Sequence, residues 1–439
     1  MQIMLFIWVE IAMLVEFRVK NYRSIKDEQV LSLVASTDDT LEDNLINVGK
    51  LPLLKAAGIY GPNASGKSNL IRAMRTMQQM ILNSAGDKPG SGTSAEPFLF
   101  DDKSQKEPTS FEIIFYHNKI RYQYGFTATK ERIYDEWLFA APKKSNQKWF
   151  ERSFDKKTGE TDWKFGSYYK GEKIKLTEKT RDNALFLSVA AQWNHEQLTS
   201  VYKWFKDNLM IISPDIALPS ITAQWLLDSA NDVSGAISTI MKNADFGISG
   251  LRIKPANINM DMNNVHLQSP NKISREGILK DLENLIEEDS IFKHLEALHQ
   301  NTKGHDIPLS IEEESDGTQR FLKLLWTWFP SIKNGCTLLV DELETSLHSL
   351  LSRELIKIFQ DPDINKSGAQ LVFATHDTTL LDPDLFRRDQ IWFTEKDNSG
   401  ATQLFPLSDY KPRRGEAIQK GYIAGRYGAI PILEAFEIK

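Results

Sequence analysis

The stretch GIYGPNASGKSNL, residues 58–70, decides the fold of this chain. Within it, GPNASGKS fits the phosphate-binding pattern GxxxxGK[ST]. In such a loop the backbone N–H groups converge on phosphate oxygens, the lysine contacts the β- and γ-phosphates, and the serine hydroxyl binds Mg²⁺. We therefore predict a nucleotide site with Mg²⁺ whose nucleotide contacts come from Gly61, Pro62, Asn63, Ala64, Ser65, Gly66, Lys67, Ser68 and Asn69.

The sequence on both sides of this loop has the order that a phosphate-binding loop requires. Residues 68–82 carry apolar side chains at helical spacing, which predicts a helix directly after the loop. Residues 14–34 are rich in β-branched and aromatic residues and predict two strands around a turn at residues 21–28. The Gly/Ser/Pro-rich residues 84–97 end the helical pattern and are expected to be mobile.

A second motif, TLLVDE at residues 337–342, completes the predicted nucleotide site. An apolar strand that ends in two adjacent acids, Asp341 and Glu342, places one of them on Mg²⁺ and the other facing the γ-phosphate, where it can polarise a water molecule. Lys67 and Asp341 lie about 270 positions apart, although a single crossover needs only about a dozen residues. We therefore expect a large insertion between two halves of one core.

The predicted insertion combines a β layer with helices. Residues 109–165 contain short strands separated by polar turns, which predict an antiparallel β layer, and residues 183–192 (NALFLSVAAQ) predict another strand. Helical spacing marks residues 201–212 and 275–299. From residue 305 on, DIPLSI, TLLVDE, LVFATH and QIWFTE alternate with helical stretches, as in a parallel α/β sheet.

Between this insertion and the two acids stands SDGTQ, residues 315–319. Small residues before a helix can offer hydroxyl and backbone donors to a phosphate. Taken alone, the segment is an ordinary helix N-cap. Its position just before the acidic strand favours a phosphate contact from Ser315, Gly317, Thr318 and Gln319.

The motif order NYRS, GPNASGKS, SDGTQ, LLVDE, TSLH and ATH, from residue 13 onward, resembles that of the ABC/SMC-like ATPases, which include RecF, RecN and OLD proteins. The resemblance implies that SDGTQ is a signature loop that closes on the γ-phosphate held by a second protomer. ATP would then join a homodimer or a higher homo-oligomer. Asp316 replaces the first glycine of the usual signature, which implies weaker phosphate binding.

The same resemblance assigns roles to individual residues. It implies that Asp341 binds Mg²⁺, that Glu342 is the general base, and that His376 contacts the γ-phosphate, although a lone histidine is also compatible with a structural role. It also implies that TSLH, residues 345–348, is the D-loop. Arg23 in NYRS resembles a residue that contacts nucleotide phosphates, and Gln192 is our candidate for the Q-loop glutamine.

From these patterns we predict an α/β fold, an ABC/SMC-like P-loop ATPase head. A mixed sheet flanked by helices would carry an antiparallel β layer, and a helical insertion would separate the P-loop from the signature loop. The predicted parts are a tail at 1–12, an N-terminal core half at 13–194, a helical insertion at 195–300 and a C-terminal core half at 301–439. Residues 1–12 read equally as a tail, an upstream start or an interaction segment.

A narrower resemblance rests on ATHDTTLLD, NALFLSVAAQ and the tail KPRRGEAIQKGYIAGRYGAIPIL. These segments look like the RloA/AbiL type of AAA-family ATPases, relatives of the PtuA-like and OLD-family defence ATPases. The resemblance implies antiviral defence by abortive infection, with a separately encoded effector that is a nuclease or a toxin. The TOPRIM nuclease of OLD proteins has no counterpart after ATHD.

Composition limits the remaining possibilities. With a formal charge of −6 over 439 residues, the chain lacks the basic excess expected of a protein that coats nucleic acid. The KPRR patch leaves contact with DNA or RNA open, with a solvated tail helix as the alternative. The apolar start of the chain is too short to span a bilayer and lacks signal-peptide features, and the chain has one cysteine, so we expect a cytoplasmic protein without membrane contact.

These observations lead to two hypotheses about the function of the chain. The leading hypothesis is an ATP hydrolase that dimerises around ATP and controls a separate effector in anti-phage defence. The alternative is a RecF/SMC-like ATPase that acts directly on DNA in repair, and stimulation of hydrolysis by DNA would favour it. The signature loop and its place in the motif order disfavour an autonomous kinase or GTPase. A transporter ATPase fits poorly because so large a helical insertion is unexpected there and the sequence shows no membrane segment.

Overall fold

The structure, a computed structural model, describes residues 12–143, 145–213, 233–244, 246–253 and 295–431. The chain divides into two compact units. The first comprises Met1–Pro214, Ser331–Thr345 and Ser352–Lys439, and the second comprises Asp215–Pro330 and Ser346–Leu351. The four parts predicted from the sequence remain a prediction.

The strands of the described residues, in chain order, are β1 (Ala12–Lys20), β2 (Gln29–Ser32), β3 (Leu45–Val48), β4 (Leu51–Leu54), β5 (Ala56–Tyr60), β6 (Thr109–His117), β7 (Ile120–Ala128), β8 (Ile133–Ala141), β9 (Gln147–Phe154), β10 (Thr161–Phe165), β11 (Leu209–Ile212), β12 (Ile248–Ile253), β13 (Leu295–Gln300), β14 (Asp306–Ser310), β15 (Thr337–Val340), β16 (Gln370–Ala374), β17 (Ile391–Lys396) and β18 (Thr402–Pro406). The helices are α1 (Lys67–Asn83), α2 (Ile174–Lys179), α3 (Phe186–Gln192), α4 (Glu196–Lys203), α5 (Val233–Asn243), α6 (Asp316–Asn334), α7 (Ser349–Gln360) and α8 (Ile418–Ile423). None of these helices has the length and hydropathy of a membrane-spanning segment.

The first unit contains a six-stranded sheet in the order β11-β15-β16-β5-β17-β18. The first five of these strands pair in parallel and β18 pairs antiparallel to β17. Because parallel strands point the same way, the loops that follow β5, β15 and β16 leave from one edge of the sheet. The parallel sheet predicted from the alternating pattern is confirmed.

A second sheet of the same unit is antiparallel, in the order β10-β9-β8-β7-β6-β1-β2. It contains the predicted β layer at 109–165 and the two predicted strands at the start of the chain. Helix α1, also predicted, contributes buried side chains to a core that includes residues of both sheets. The mixed α/β architecture with an antiparallel layer is therefore as the sequence predicts.

Two segments were wrongly predicted in this unit. NALFLSVAAQ contains helix α3 rather than a strand. The Glu136 carboxylate accepts hydrogen bonds from the backbone N of Phe186, at 2.7 Å, and of Leu187, at 3.0 Å, so a distant acid caps the first turn. Residues 201–212 are not one helix: α4 ends at Lys203, a π-helical turn follows, and Leu209–Ile212 forms β11.

The predicted helical insertion at 195–300 contains strands. Strand β11 belongs to the six-stranded sheet because it pairs with β15, a partner far away in sequence. In the second unit, β12, β13 and β14 form an antiparallel sheet, so residues 295–299 are strand rather than helix. DIPLSI forms β14 of that sheet and is not a parallel strand. The predicted helix at 275–294 lies outside the described residues.

Candidate nucleotide-binding site

The predicted phosphate loop, Asp341 and His376 meet at one edge of the six-stranded sheet. The loop follows β5, the two acids follow β15, and His376 follows β16, which lies between those two strands. Five buried residues make up β5 and four make up β15, so apolar packing determines where each loop begins. The sheet order therefore brings the halves of the site together across a long stretch of sequence.

The phosphate loop has the backbone conformation that its glycines allow. Gly61 has φ +153° and Gly66 has φ +112°, both in the region that side chains rarely adopt. A Cβ atom at Gly61 would collide with the backbone oxygen of Thr394, and one at Gly66 would collide with the hydroxyl of Thr402. Both positions therefore require glycine for packing as well as for backbone freedom.

Lys67 is 5% exposed and already lies over the loop. Its Nζ donates to the backbone oxygens of Gly61, at 2.7 Å, and Pro62, at 3.1 Å, and is 3.4 Å from Nδ1 of His376. Burial lowers the pKa of the Lys67 ammonium to about 8, against the opposing effect of nearby carboxylates. The loop thus holds a desolvated cation, and an anion in the same place would be attracted strongly because the local dielectric is low.

Ser68 and Asp341 form the link between the two motifs. The Ser68 hydroxyl donates to Oδ1 of Asp341 at 3.1 Å, and Asp341 is 6% exposed. Burial raises the pKa of the Asp341 carboxyl, while the Ser68 hydrogen bond opposes this change. A hydroxyl and a carboxylate in contact are the oxygen ligands that Mg²⁺ takes beside nucleotide phosphates, so these two residues fit a Mg²⁺ site.

Glu342, the residue after Asp341, has a strained backbone conformation. Its φ is +53°, which is uncommon for a residue other than glycine, and its Oε2 accepts a hydrogen bond from the Thr345 hydroxyl at 3.1 Å. Strain of this kind persists when the surrounding structure holds the residue in place. Glu342 therefore occupies a defined position beside Asp341.

The phosphate loop, the two acids and His376 all lie within a segment that matches a known protein family. The family described as "AAA domain, putative AbiEii toxin, Type IV TA system" matches residues 56–382, about three quarters of the chain. The chain belongs to this AAA domain family. The match begins at β5, directly before the phosphate loop, and includes both acids and His376.

Two solved structures are similar to the AAA chain at low sequence identity. The SMC head domain from Thermotoga maritima is 12% identical, with a TM-score of 0.37, and the match covers 90% of this chain and 98% of that one. A structure described as the SmcHead bound to the C-winged helix domain of ScpA is 12% identical, with a TM-score of 0.39 and coverage of 91% and 99%. No curated protein matches the chain.

The predicted signature loop of the AAA chain lies at the start of α6, in the second unit. The Ser315 hydroxyl accepts from the Thr318 backbone N at 3.1 Å and lies 2.8 Å from its hydroxyl. The Gln319 amide donates to the Glu314 backbone oxygen at 2.9 Å. A Cβ at Gly317 would lie 2.8 Å from the backbone oxygen of Ser346 in the TSLH segment, so the glycine allows these two segments to approach closely.

Two other residues, Arg23 and Gln192, were also predicted to contact the nucleotide. Arg23 has φ +50°, and its guanidinium Nε lies 3.4 Å from Oε2 of Glu96. Gln192 is exposed at the last residue of α3. For both residues, contact with a nucleotide stays a prediction.

The sequence analysis missed several residues that contact the site. Oε1 of Glu344 accepts from the backbone N of His376 at 2.6 Å. Partial burial and the Lys67 ammonium lower the pKa of His376. Ser24, Thr394 and Thr402 form hydrogen bonds to the phosphate loop or to α1. The repeated acid in DELE could have indicated Glu344, whereas isolated hydroxyl residues carry no comparable signal.

Proposed function

We propose that this AAA chain is an ATP hydrolase that binds ATP with Mg²⁺ at the loop after β5. The observation that carries the proposal is the Ser68–Asp341 hydrogen bond, which joins the two motifs next to the buried ammonium of Lys67. A Mg²⁺ ion held by Ser68 and Asp341 would neutralise charge on the transferred phosphoryl group. Lys67 would then exchange its carbonyl partners for β- and γ-phosphate oxygens.

We assign the remaining steps to Glu342 and His376. Glu342 would take a proton from the attacking water, since its carboxylate adjoins the residue proposed to hold Mg²⁺. His376 would contact the γ-phosphate, because its ring nitrogen lies 3.4 Å from the Lys67 ammonium. Burial and the Lys67 ammonium lower the pKa of His376, which favours the neutral ring, and a neutral imidazole can donate one hydrogen bond without adding charge.

The proposal includes a homodimer in which each signature loop completes the site of the other protomer. Ser315 is at the N-terminus of the 19-residue helix α6, where backbone N–H groups favour an anion. The close approach of Gly317 to Ser346 supports a common surface formed by the signature loop and the TSLH segment. Higher assemblies built from such dimers are compatible with this arrangement.

A Ser315→Arg substitution tests the shared site. We expect ATP affinity to stay near the wild-type value and turnover to fall at least about a hundredfold, because a bulky cation would block closure on the γ-phosphate. Mixed dimers of Ser315→Arg with Lys67→Ala should recover part of the turnover, since one of their two sites carries neither change. Steady-state ATPase assays on purified heterodimers measure this recovery, and its complete absence would argue for activity within one protomer.

We further propose that the ATPase controls a separate effector in anti-phage defence, as a member of the RloA/AbiL type in the cytoplasm. The family description names the AbiEii toxin and a type IV toxin–antitoxin system, which supports a role of this kind. ATP can bias a partner only through a difference in its affinity for the open and closed states. An effector that is a nuclease or a toxin should therefore bind one of these states preferentially.

Co-purification with the products of neighbouring genes tests effector control. Glu342→Gln, trapped with ATP, and Lys67→Ala, free of ATP, should retain amounts of effector that differ by about fivefold or more. The purified chain alone should hydrolyse ATP without cutting DNA or RNA. Metal-dependent nuclease activity that a substitution outside the ATP site removes would contradict this proposal, and hydrolysis stimulated by DNA would favour the DNA-repair alternative.

A further inference from the structure

Two threonines of the β17–β18 hairpin contact the phosphate loop. Thr394 and Thr402 are 0% and 1% exposed. The Thr394 hydroxyl lies 2.6 Å from the Ser65 hydroxyl and 3.3 Å from the Tyr60 backbone oxygen. The Thr402 hydroxyl donates to the Ser65 backbone oxygen at 2.8 Å. Both hydroxyls are thus bonded to the loop or to its preceding strand.

Counting protons fixes the direction of these hydrogen bonds. A carbonyl oxygen can only accept, so Thr402 uses its one proton on Ser65, and the Ser24 hydroxyl, 2.8 Å away, must donate to Thr402. The Asn69 amide in turn donates to Ser24 at 2.8 Å. By the same count, Thr394 donates to the Tyr60 oxygen and accepts from the Ser65 hydroxyl. Every hydroxyl proton in the network therefore has an acceptor.

The same two threonines occupy the space next to both loop glycines. Thr394 lies where a Cβ of Gly61 would point, and Thr402 lies where a Cβ of Gly66 would point. The hairpin therefore touches the loop at its first glycine, at Ser65 and at its second glycine. This contact leaves little room for the loop to move toward the hairpin.

The hairpin itself is held in place on the side away from the loop. The ring of Phe393 stacks on Tyr422 with centroids 5.2 Å apart and on Tyr427 at 5.9 Å. Oε2 of Glu395 accepts from the backbone N of Ala429 at 2.9 Å. Phe393 and Glu395, the neighbours of Thr394 in the strand, thus both contact the C-terminal segment. These contacts hold the strand that carries Thr394 in position.

We propose that Thr394 and Thr402 are positioning residues that keep the phosphate loop in its anion-binding conformation before ATP arrives. The inference rests on the proposed ATP site. A loop that is already ordered loses less conformational freedom on binding, so preorganisation appears as higher affinity. If only a fraction of molecules keeps the competent loop, the apparent dissociation constant rises by the inverse of that fraction.

Valine and serine substitutions distinguish the effect of losing the threonine hydroxyl from the effect of disturbing the fold. Thr402→Val leaves the Ser65 oxygen without its donor, and we expect the Kd for MgATP to rise about tenfold while kcat changes less than about twofold. Thr394→Val should act in the same direction, and Thr402→Ser should stay close to wild type. Calorimetric titration gives Kd and steady-state assays give kcat. Thr161→Val, at a partly exposed threonine of β10 in the other sheet, is the control for the same substitution away from the site.

The separation of Kd from kcat distinguishes positioning from general destabilisation. Irreversible loss of folded protein would lower apparent kcat and leave the Kd of the remaining molecules unchanged. Reversible global unfolding would raise the apparent Kd as a disordered loop does, so the variants must also keep the wild-type circular dichroism spectrum at the temperature of the titration. If Thr402→Val does not fold, as judged by circular dichroism, Ser24→Ala replaces it as the decisive variant, with a Kd increase of about threefold expected from the loss of the donor to Thr402.

Three results would overturn the inference. The first is a Kd within twofold of wild type in well-folded Thr394→Val and Thr402→Val, or in Ser24→Ala where it is the decisive variant. The second is a Thr402→Ser variant that binds as weakly as the valine variant. In both cases Lys67→Ala should still abolish binding, so the proposed function survives. The third is a wild-type protein with no affinity for ATP, which would overturn the proposed function as well.

Discussion

Lys67→Ala is expected to abolish ATP binding, with a fall in affinity of at least about a hundredfold. The Lys67 ammonium is buried and donates to the backbone oxygens of Gly61 and Pro62. In the proposed complex it would bond phosphate oxygens in a site with little water, where a charge-assisted hydrogen bond is strong. Calorimetric titration with MgATP measures the loss directly.

The control for this variant is a lysine of similar size outside the site. Lys357→Ala removes an exposed side chain of α7 that pairs with Glu354 at 2.6 Å, and it should bind ATP as the wild type does because exposed pairs contribute little. Both variants should keep the wild-type circular dichroism spectrum. Wild-type ATP affinity in Lys67→Ala would contradict the assignment of the phosphate loop.

Glu342→Gln is expected to bind ATP and Mg²⁺ normally but to hydrolyse ATP about 10²- to 10⁴-fold more slowly. The amide keeps the size of the side chain and can still accept from Thr345, whereas it cannot take a proton from water. Asp341 and Ser68 remain unchanged, so the proposed Mg²⁺ ligands are intact. Single-turnover assays measure the chemical step.

The same variant should accumulate as an ATP-bound closed dimer, because hydrolysis no longer reopens it. Light scattering with and without MgATP measures the shift in mass. Glu354→Gln, an exposed acid that pairs with Lys357, provides the matched control and should keep wild-type turnover. Turnover that is unchanged in Glu342→Gln would remove this residue from its proposed role.

Local patterns in the sequence determined the elements on which the site is built. The glycines, Lys67 and Ser68 stand in one short segment, and the apolar residues on either side have the spacing of a strand and a helix, so β5 and α1 could be predicted. The acids after β15 could be paired with the loop because each motif supplies one part of a nucleotide site. The loop has the pattern that binds phosphates, and the acids have the chemistry to bind Mg²⁺ and to activate water. The antiparallel strands of residues 109–165 were equally clear, because polar turns separate them.

Tertiary contacts decided the remaining features. NALFLSVAAQ is apolar enough for a strand or a helix, and the distant acid Glu136, which caps its backbone N–H groups, selects the helix α3. Leu209–Ile212 is a strand because β15 offers it an edge, and that edge exists only in the folded chain. Thr394 and Thr402 could not be found for the same reason. A hydroxyl has no sequence pattern of its own, and its role follows from the loop that the sheet order places against it.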